Sequence, residues 1–444
     1  MATAPARSRN WPLRKVWLLA ALVAAPVQAQ ELADAIRLGD ERGVAASLAQ
    51  ANRPLAYGET PLMLAVSHQD RGAVRALIRA GVQVNAVDQD GVGALWLACE
   101  MGDAGMIGAL LDAGADPRRA RSDGATPLHL CARFAPASVV ERMAHGEVDL
   151  RDARGQTPLM WAASSGRAEA VSALLRAGAS ARAVSQGGFT PLLFAVKSGD
   201  VAAVSALLAA GADATARGPE NTSAAQLAAY QGRWDVLRLL IERGGVDLNE
   251  RDREGWQLLH RAAAGGDVGL VRLLIVRGAA VEGLSGPSRI TWVTEANFGV
   301  APPPVPPKVP LLMAAEAGQA EAMKALIAAG AKADFVAQDG ENLLIAAARS
   351  RTLTALEVAL AALPKPELVD AKGNSALHVL AGSRPAADLA AMFMAMARAG
   401  ARPDLANVRG ATPAKIAAGA QTEVRNAFFA AFPQAQAGQA SPAT

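Results

Sequence analysis

Histidine is the residue type in this 444-residue sequence whose spacing could most readily support catalysis or metal binding. Three of the five histidines, His129, His260 and His378, follow a leucine at the same place in a recurring segment. An imidazole can act as a general base or bind zinc. However, none of the three is followed by a second histidine or a carboxylate at metal-ligand spacing. We therefore expect no metal site and no catalytic histidine, including the isolated His68 and His145.

The two cysteines, Cys99 and Cys131, are the other candidates for covalent chemistry. Neither has a neighbouring histidine that would make it a convincing nucleophile. They fall at successive small-residue positions of neighbouring predicted helices. Packed helix axes lie about 8–10 Å apart, whereas a disulfide needs Cα atoms within about 7 Å. We therefore expect two buried thiols.

Glycine-rich segments also fail to indicate a cofactor site. Gly102, Gly105 and Gly108 lie in a predicted inter-helix turn and helix, whereas a dinucleotide fingerprint follows a strand. Gly283-Leu284-Ser285-Gly286-Pro287 lacks the final glycine of a nucleophile elbow. The sequence therefore predicts no cofactor and no enzymatic activity.

A repeating segment organises most of the chain. Its copies start at Thr60, Gly93, Thr126, Thr157, Thr190, Ser223, Gln257, Val309, Asn342, Ser375 and Thr412. The intervals between these starts are 33, 33, 31, 33, 33, 34, 52, 33, 33 and 37 residues. A period in this range is typical of stacked two-helix units, each burying its apolar face against its neighbours.

Residues 188–216 show one unit most clearly. Thr190 is placed to cap a helix, and Pro191 follows at the first helical position, where its missing N–H costs nothing. A second helix is predicted over residues 201–210, and Gly211 ends it in a left-handed conformation. The same helix-ending glycine recurs as Gly81, Gly114, Gly178, Gly244, Gly278, Gly330 and Gly400.

These units resemble ankyrin repeats. The family's motif appears as Gly124-Ala-Thr-Pro-Leu-His-Leu-Cys-Ala132 and as Leu207-Leu-Ala-Ala-Gly-Ala-Asp213. The resemblance implies an all-α solenoid over residues 30–432, of about 12 helix-turn-helix units including atypical caps, with β-turn tips. It further implies that the motif histidine bonds to turn backbone between repeats, and that the concave face binds a protein. Residues 433–444 are expected to be a disordered tail.

The N-terminal 29 residues have the pattern of a secretory signal. Four basic residues precede an apolar core too short to span a bilayer, and small residues follow near Ala29. We expect cleavage before Gln30 and a periplasmic or secreted protein, with a retained anchor as the alternative. Without those four residues, the 44 basic side chains become 40, against 41 acidic ones. No basic stripe for nucleic acid remains.

The 52-residue interval contains an insertion, which we place at about residues 283–308. Trp292 and Phe298 bring large apolar groups to this segment, and insertions in repeat arrays often lie on the binding face. Two interpretations remain open: a finger that grips a partner, or a loop folded over the adjacent helices.

The concave surface supplies the other candidates. Phe189 and Trp256 stand just before a capping position, and the first-helix ends carry Met101, Phe134, Lys197 and Tyr230. Rigid aromatic rings with charged neighbours are typical of interface hot spots. We prefer the central repeats, with Phe189, Tyr230 and Trp256, as the site.

The sequence therefore predicts a monomeric periplasmic scaffold that binds a protein without catalysis. One alternative is an inhibitor or immunity partner of a periplasmic enzyme or toxin. The other is an effector secreted into a host cell.

Overall fold

The computed structural model describes residues 27–243, 245–287 and 306–437. The chain forms two compact units, which meet in sequence between Gly187 and Gly188. Over the described ranges the structure is helical, and its extended pairings are isolated bridges such as Val87 with Gly93. The expected all-α fold is confirmed.

The first unit contains five consecutive helix pairs among its described residues. They are α1 (Val27–Leu38), α2 (Glu41–Ala46), α3 (Pro61–Ser67), α4 (Arg71–Arg79), α5 (Ala94–Met101), α6 (Ala104–Asp112), α7 (Pro127–Phe134), α8 (Ala137–Met143), α9 (Pro158–Ser164) and α10 (Ala168–Arg176).

The second unit contains seven further pairs and one short helix among its described residues. They are α11 (Pro191–Ser198), α12 (Val201–Ala209), α13 (Ala224–Tyr230), α14 (Trp234–Arg243), α15 (Leu258–Gly265), α16 (Val268–Val276), α17 (Pro310–Glu316), α18 (Ala320–Ala328), α19 (Leu343–Ser350), α20 (Leu353–Ala362), α21 (Ala376–Ala381), α22 (Leu389–Arg398), α23 (Pro413–Ala418), α24 (Thr422–Ala431) and α25 (Pro433–Ala437). The 12 pairs of the two units match the expected number of repeats.

The first helix of a repeat begins where the sequence places its cap. Thr190 has extended backbone, and its hydroxyl accepts a hydrogen bond from the N–H of Leu193. The second helix is capped by an aspartate instead, since the Asp200 carboxylate accepts from the N–H of Ala203. Both caps satisfy backbone donors that the helix itself leaves unpaired.

Small and branched apolar side chains form the core of each unit. Ala195 on α11 and both Val204 and Leu207 on α12 are fully buried. Within the second unit, α15 packs on α17 and α17 packs on α19. Each buried leucine contributes about 1.5–3 kcal/mol through burial, so stability is spread along the stack.

In several turn tips an aspartate carboxylate fixes the shape of the turn. Asp152 Oδ1 accepts hydrogen bonds of 2.8 Å from the N–H groups of Arg154 and Gln156, and Gly155 between them has a φ of +69°. The N–H of Gln186, in the next tip, donates to the carbonyl of Arg154 at 2.9 Å. Backbone hydrogen bonds of this kind connect neighbouring tips within a unit.

The expectation of two free thiols is wrong. Cys99 on α5 and Cys131 on α7 form a disulfide, with their Cα atoms 4.6 Å apart. The distance between helix axes overstates the Cα–Cα distance, because each Cα lies about 2.3 Å from its helix axis. When two small residues face each other, their Cα atoms are therefore about 4–5 Å closer than the axes.

Helical structure extends beyond both predicted domain boundaries, and cleavage before Gln30 stays a prediction. Helix α1 begins at Val27, three residues before the expected mature N-terminus. Residues 433–437, which were assigned to a disordered tail, form the short helix α25. Proline at the start of that helix and the buried Phe432 just before it account for its position. Residues 438–444 lie outside the described ranges.

Candidate functional site

The three motif histidines bridge consecutive repeats. The Nδ1 of His129 accepts from the N–H of its cap residue Thr126 at 3.1 Å, and its Nε2 lies 3.0 Å from the carbonyl oxygen of Gln156 in the next tip. His260 reaches the carbonyl of Lys308 in the same way, at 2.9 Å. His378 reaches that of Ala411 at 3.2 Å. The structural role implied by the resemblance is confirmed.

These imidazoles are neutral at pH 7 in the folded chain. Burial lowers the pKa of His129 and His378, and it lowers the pKa of His260 to about 4. Because Nδ1 accepts from a backbone N–H, the proton of the neutral ring lies on Nε2, which donates to the next repeat. Both ring nitrogens are therefore occupied by structural hydrogen bonds.

The described part of the chain contains neither a metal-binding group of side chains nor a helix that could span a membrane. No three histidine, cysteine, aspartate or glutamate side chains there are grouped so that they could hold a metal ion. No helix within those residues has the length and apolar character needed to cross a bilayer.

An aromatic and guanidinium cluster lies at the second and third repeats of the second unit. The guanidinium carbon of Arg261 lies 4.1 Å from the ring centroid of Trp256 and 5.3 Å from that of Tyr230. Arg253 lies 4.8 Å from the Tyr230 centroid and donates to its hydroxyl at 3.0 Å. We call these four residues the Tyr230–Trp256 cluster.

Two carboxylates hold the cluster in place. Arg261 Nη2 lies 2.7 Å from Asp252 Oδ2 and 2.8 Å from Glu254 Oε2. The other oxygen of Asp252 accepts from the N–H groups of Glu254 and Trp256, at 2.9 Å each. Asp252 thus holds both the turn that carries Trp256 and the side chain of Arg261, which covers the Trp256 ring. This arrangement orders the aromatic rings before any partner binds.

A strained turn tip adjoins the cluster. Glu220 and Asn221 have φ values of +54° and +59°, and Asn221 stands in the tip position where most repeats have glycine. The Glu220 carboxylate lies 3.6 Å from Nη1 of Arg253. Non-glycine residues in the left-handed region cost about 1–3 kcal/mol and are concentrated at functional sites.

The structure brings together only two of the three preferred residues. Tyr230, with 46% of its surface exposed, and the half-buried Trp256 share Arg261. Phe189 instead packs on Phe194 of its own repeat, with ring centroids 5.4 Å apart. Lys197 is exposed on α11.

The remaining candidates lie elsewhere. In the first unit, Met101 ends α5 and Phe134 ends α7, where Arg133 covers the Phe134 ring at 5.1 Å. Phe134 is 43% exposed. Trp292 and Phe298 lie outside the described residues.

The insertion begins and ends beside the cluster. The N–H of Gly286 donates to the carbonyl of Gly255, in the turn that carries Trp256, at 2.7 Å. Ser285 and Lys308 exchange two hydrogen bonds of 2.9 Å, which close the base of the insertion. Because His260 still reaches Lys308, the repeat stacking resumes there in its usual form.

Sequence reasoning missed the polar half of the cluster. Arg253 and Arg261 belong to no recognisable motif, and nothing in their spacing distinguishes them from other surface residues. The aspartate in the turn is the one sequence feature that could have indicated the contact with Arg261. In the first unit, Asp152 occupies the same turn position as Asp252, and its second oxygen accepts from Trp161 Nε1 at 3.1 Å. Trp161 and Arg261 each stand four residues after the cap of their helix, and each contacts the turn aspartate of its own repeat.

Comparison with known proteins agrees with this architecture. A family model described as ankyrin repeats matches the chain at residues 32–121, 62–152, 128–218 and 192–282. Together these matches cover residues 32–282, which is more than half of the chain.

Individual relatives match shorter stretches. Alpha-latroinsectotoxin-Lt1a of Latrodectus tredecimguttatus is 41% identical over 56 residues, which is 13% of this chain and 4% of the toxin. Notch-regulated ankyrin repeat-containing protein A of Danio rerio is 35% identical over 66 residues, 15% of this chain and 58% of that protein. The chain therefore spans less than two thirds of the length of these curated relatives. The extent of the family match and the repeated helix pairs establish that the chain belongs to the ankyrin-repeat family.

Proposed function

We propose that this chain is a protein-binding scaffold and that the Tyr230–Trp256 cluster is its main contact surface. Ankyrin repeats generally serve as scaffolds for interactions between proteins. The main support for this proposal is Arg261, which contacts both the Tyr230 and the Trp256 ring and is held in place by Asp252.

The chemistry of the cluster suits protein recognition. Tyrosine, tryptophan and arginine are the residues most enriched at interface hot spots. Tyr230 and Arg253 are both more than 40% exposed, so a partner can contact them without rearrangement of the repeat. Because Arg261 is already ordered by two carboxylates, binding requires little further loss of side-chain entropy. We assign the cluster a binding role and no catalytic one.

The combined Tyr230→Ala and Trp256→Ala substitutions are expected to weaken partner binding at least tenfold. Each removes an aromatic anchor, and hot-spot truncations cost about 2 kcal/mol or more. The test is affinity capture from cell-envelope extract of the source cells, with residues 30–444 as bait and quantitation by mass spectrometry. At least one protein retained by the parent should be depleted by the double variant.

Phe134→Ala provides the matched control, because Phe134 is an exposed aromatic residue covered by an arginine in the first unit. We expect this variant to retain the same protein as the parent. Equal retention by the parent, the double variant and the control would contradict the assignment of the surface. Circular dichroism of all three proteins would verify that the repeats remain folded.

We further propose that the protein acts in the periplasm or outside the cell. The signal-like residues 1–29 support this proposal, and so does the disulfide, because disulfides persist in oxidising compartments. N-terminal sequencing of the protein released by osmotic shock is expected to begin at Gln30. An uncleaved chain recovered from the cytosol would contradict the proposal.

A further inference from the structure

The disulfide joins the first helices of two consecutive repeats in the first unit. Cys99 lies two residues before the end of α5, and Cys131 lies three residues before the end of α7. Both cysteines are completely buried. The helix ends that follow them carry Met101 and Phe134, and this pair is defined here as the Met101–Phe134 surface.

The packing of the repeats does not require sulfur at these positions. Cys131 stands five residues after its cap, where Ala162 and Ala195 stand in the following repeats, and both alanines are completely buried. Cys99 stands six residues after its cap, where the next repeat has the buried Ala132. Alanine therefore satisfies the same packing, and what the cysteine pair adds is the covalent bond.

The helix ends beyond the disulfide are in close backbone contact. Gly102, which ends α5 with a φ of +67°, lies so near the carbonyl of Phe134 that a Cβ there would be 2.9 Å from its oxygen. In repeat arrays each unit is stabilised mainly by its immediate neighbours. Changes in the α5–α7 link are therefore expected to act locally and to leave distant repeats intact.

We propose that the Cys99–Cys131 disulfide is a covalent link that sets the local order of α5–α8, and with it the Met101–Phe134 surface, independently of the second unit. Breaking this link is a two-electron reduction. A dithiol reductant transfers two electrons and two protons, the Cys99–Cys131 bond breaks to give two thiols, and the reductant becomes its own disulfide. This inference does not rest on the binding role proposed for the Tyr230–Trp256 cluster.

Amide hydrogen exchange read by mass spectrometry tests the proposal on the mature chain. Three samples are compared: the oxidised protein, the protein treated with excess dithiothreitol, and the Cys99→Ala/Cys131→Ala variant. Closing a loop of 32 residues stabilises by an amount that corresponds to about a 500-fold change in opening. We expect exchange in α5–α8 to accelerate by about that factor in the second and third samples, with no change in α15–α20.

Several results would overturn the proposal. Alkylation with iodoacetamide verifies that the thiols have formed in the reduced sample. Equal exchange in the oxidised and alanine samples would show that the bond does not control local order. Acceleration spread equally over both units would show that its effect is global. Because alanine occupies these positions in other repeats, the variant is expected to fold.

Discussion

His260→Gln is expected to make the protein more stable than the parent in acid by about 2.5 kcal/mol at pH 4.5, with little difference at pH 7. The reason is that burial lowers the pKa of His260 to about 4 in the folded chain, against about 6.5 when it is exposed. Glutamine keeps both hydrogen bonds of the imidazole and does not titrate.

The sign follows from proton uptake by the unfolded chain. Between pH 6.5 and about pH 4, His260 is protonated when unfolded and neutral when folded, so acid favours the unfolded state. The free energy of unfolding of the parent therefore falls as the pH drops through this window, and the loss levels off below about pH 4. Removal of the imidazole removes this part of the pH dependence.

A neighbouring repeat shows that glutamine fits. Gln226 stands at the same motif position, where its Oε1 accepts from the N–H of Ser223 at 3.0 Å and its Nε2 donates to the carbonyl of Arg251 at 2.9 Å. Thermal unfolding at pH 7 and at pH 4.5 measures the effect. His68→Gln is the control, since His68 is exposed and its replacement should change neither value. A His260→Gln variant as acid-sensitive as the parent would contradict the account.

Lys308→Met is expected to lower the free energy of unfolding by about 3 kcal/mol at pH 7. The Lys308 ammonium lies 2.5 Å from Glu316 Oε1 and 2.6 Å from Glu341 Oε2, and the Glu341 side chain is only 1% exposed. Burial already raises the pKa of Glu341. Without Lys308, this buried carboxylate keeps a contact with Arg349 but loses its most buried cation.

Two further variants separate this explanation from a simple packing defect. The Lys308→Met/Glu341→Gln pair should recover most of the lost stability, because it removes the buried charge that Lys308 neutralised. Lys324→Met is the matched control, since Lys324 and Glu321 form an exposed ion pair at 2.7 Å and such pairs contribute about 1 kcal/mol at most. Chemical unfolding at pH 7 measures all three. If Lys308→Met were no more harmful than Lys324→Met, the buried network would not be stabilising this region.

The period and the capping residues made most of the fold predictable. The second helix expected over residues 201–210 is observed as Val201–Ala209, and Thr190 caps the helix before it as its sequence position indicated. Local signals suffice here because helix caps and tight turns depend on neighbouring residues. The disulfide was missed because it depends on how closely two helices pack at one pair of residues, which the period does not encode.

The candidate site was only partly predictable, for a related reason. The motif positions of Tyr230 and Trp256 indicated that the two residues lie in the same region, and the structure brings them together around Arg261. Their association through Arg261 depends on side-chain directions across two repeats, and the ordering of Arg261 depends on Asp252 and Glu254. Charged residues of this kind are common on repeat surfaces, so sequence spacing alone does not single them out.

The most direct test of the account is the dissociation constant of the captured partner, measured by titration calorimetry against the parent, the Tyr230→Ala/Trp256→Ala variant and Phe134→Ala. We expect at least a tenfold weaker constant for the double variant, at unchanged thermal stability of the repeats, and a parental constant for Phe134→Ala. A parental constant for the double variant would show that the partner binds elsewhere and would contradict the central assignment.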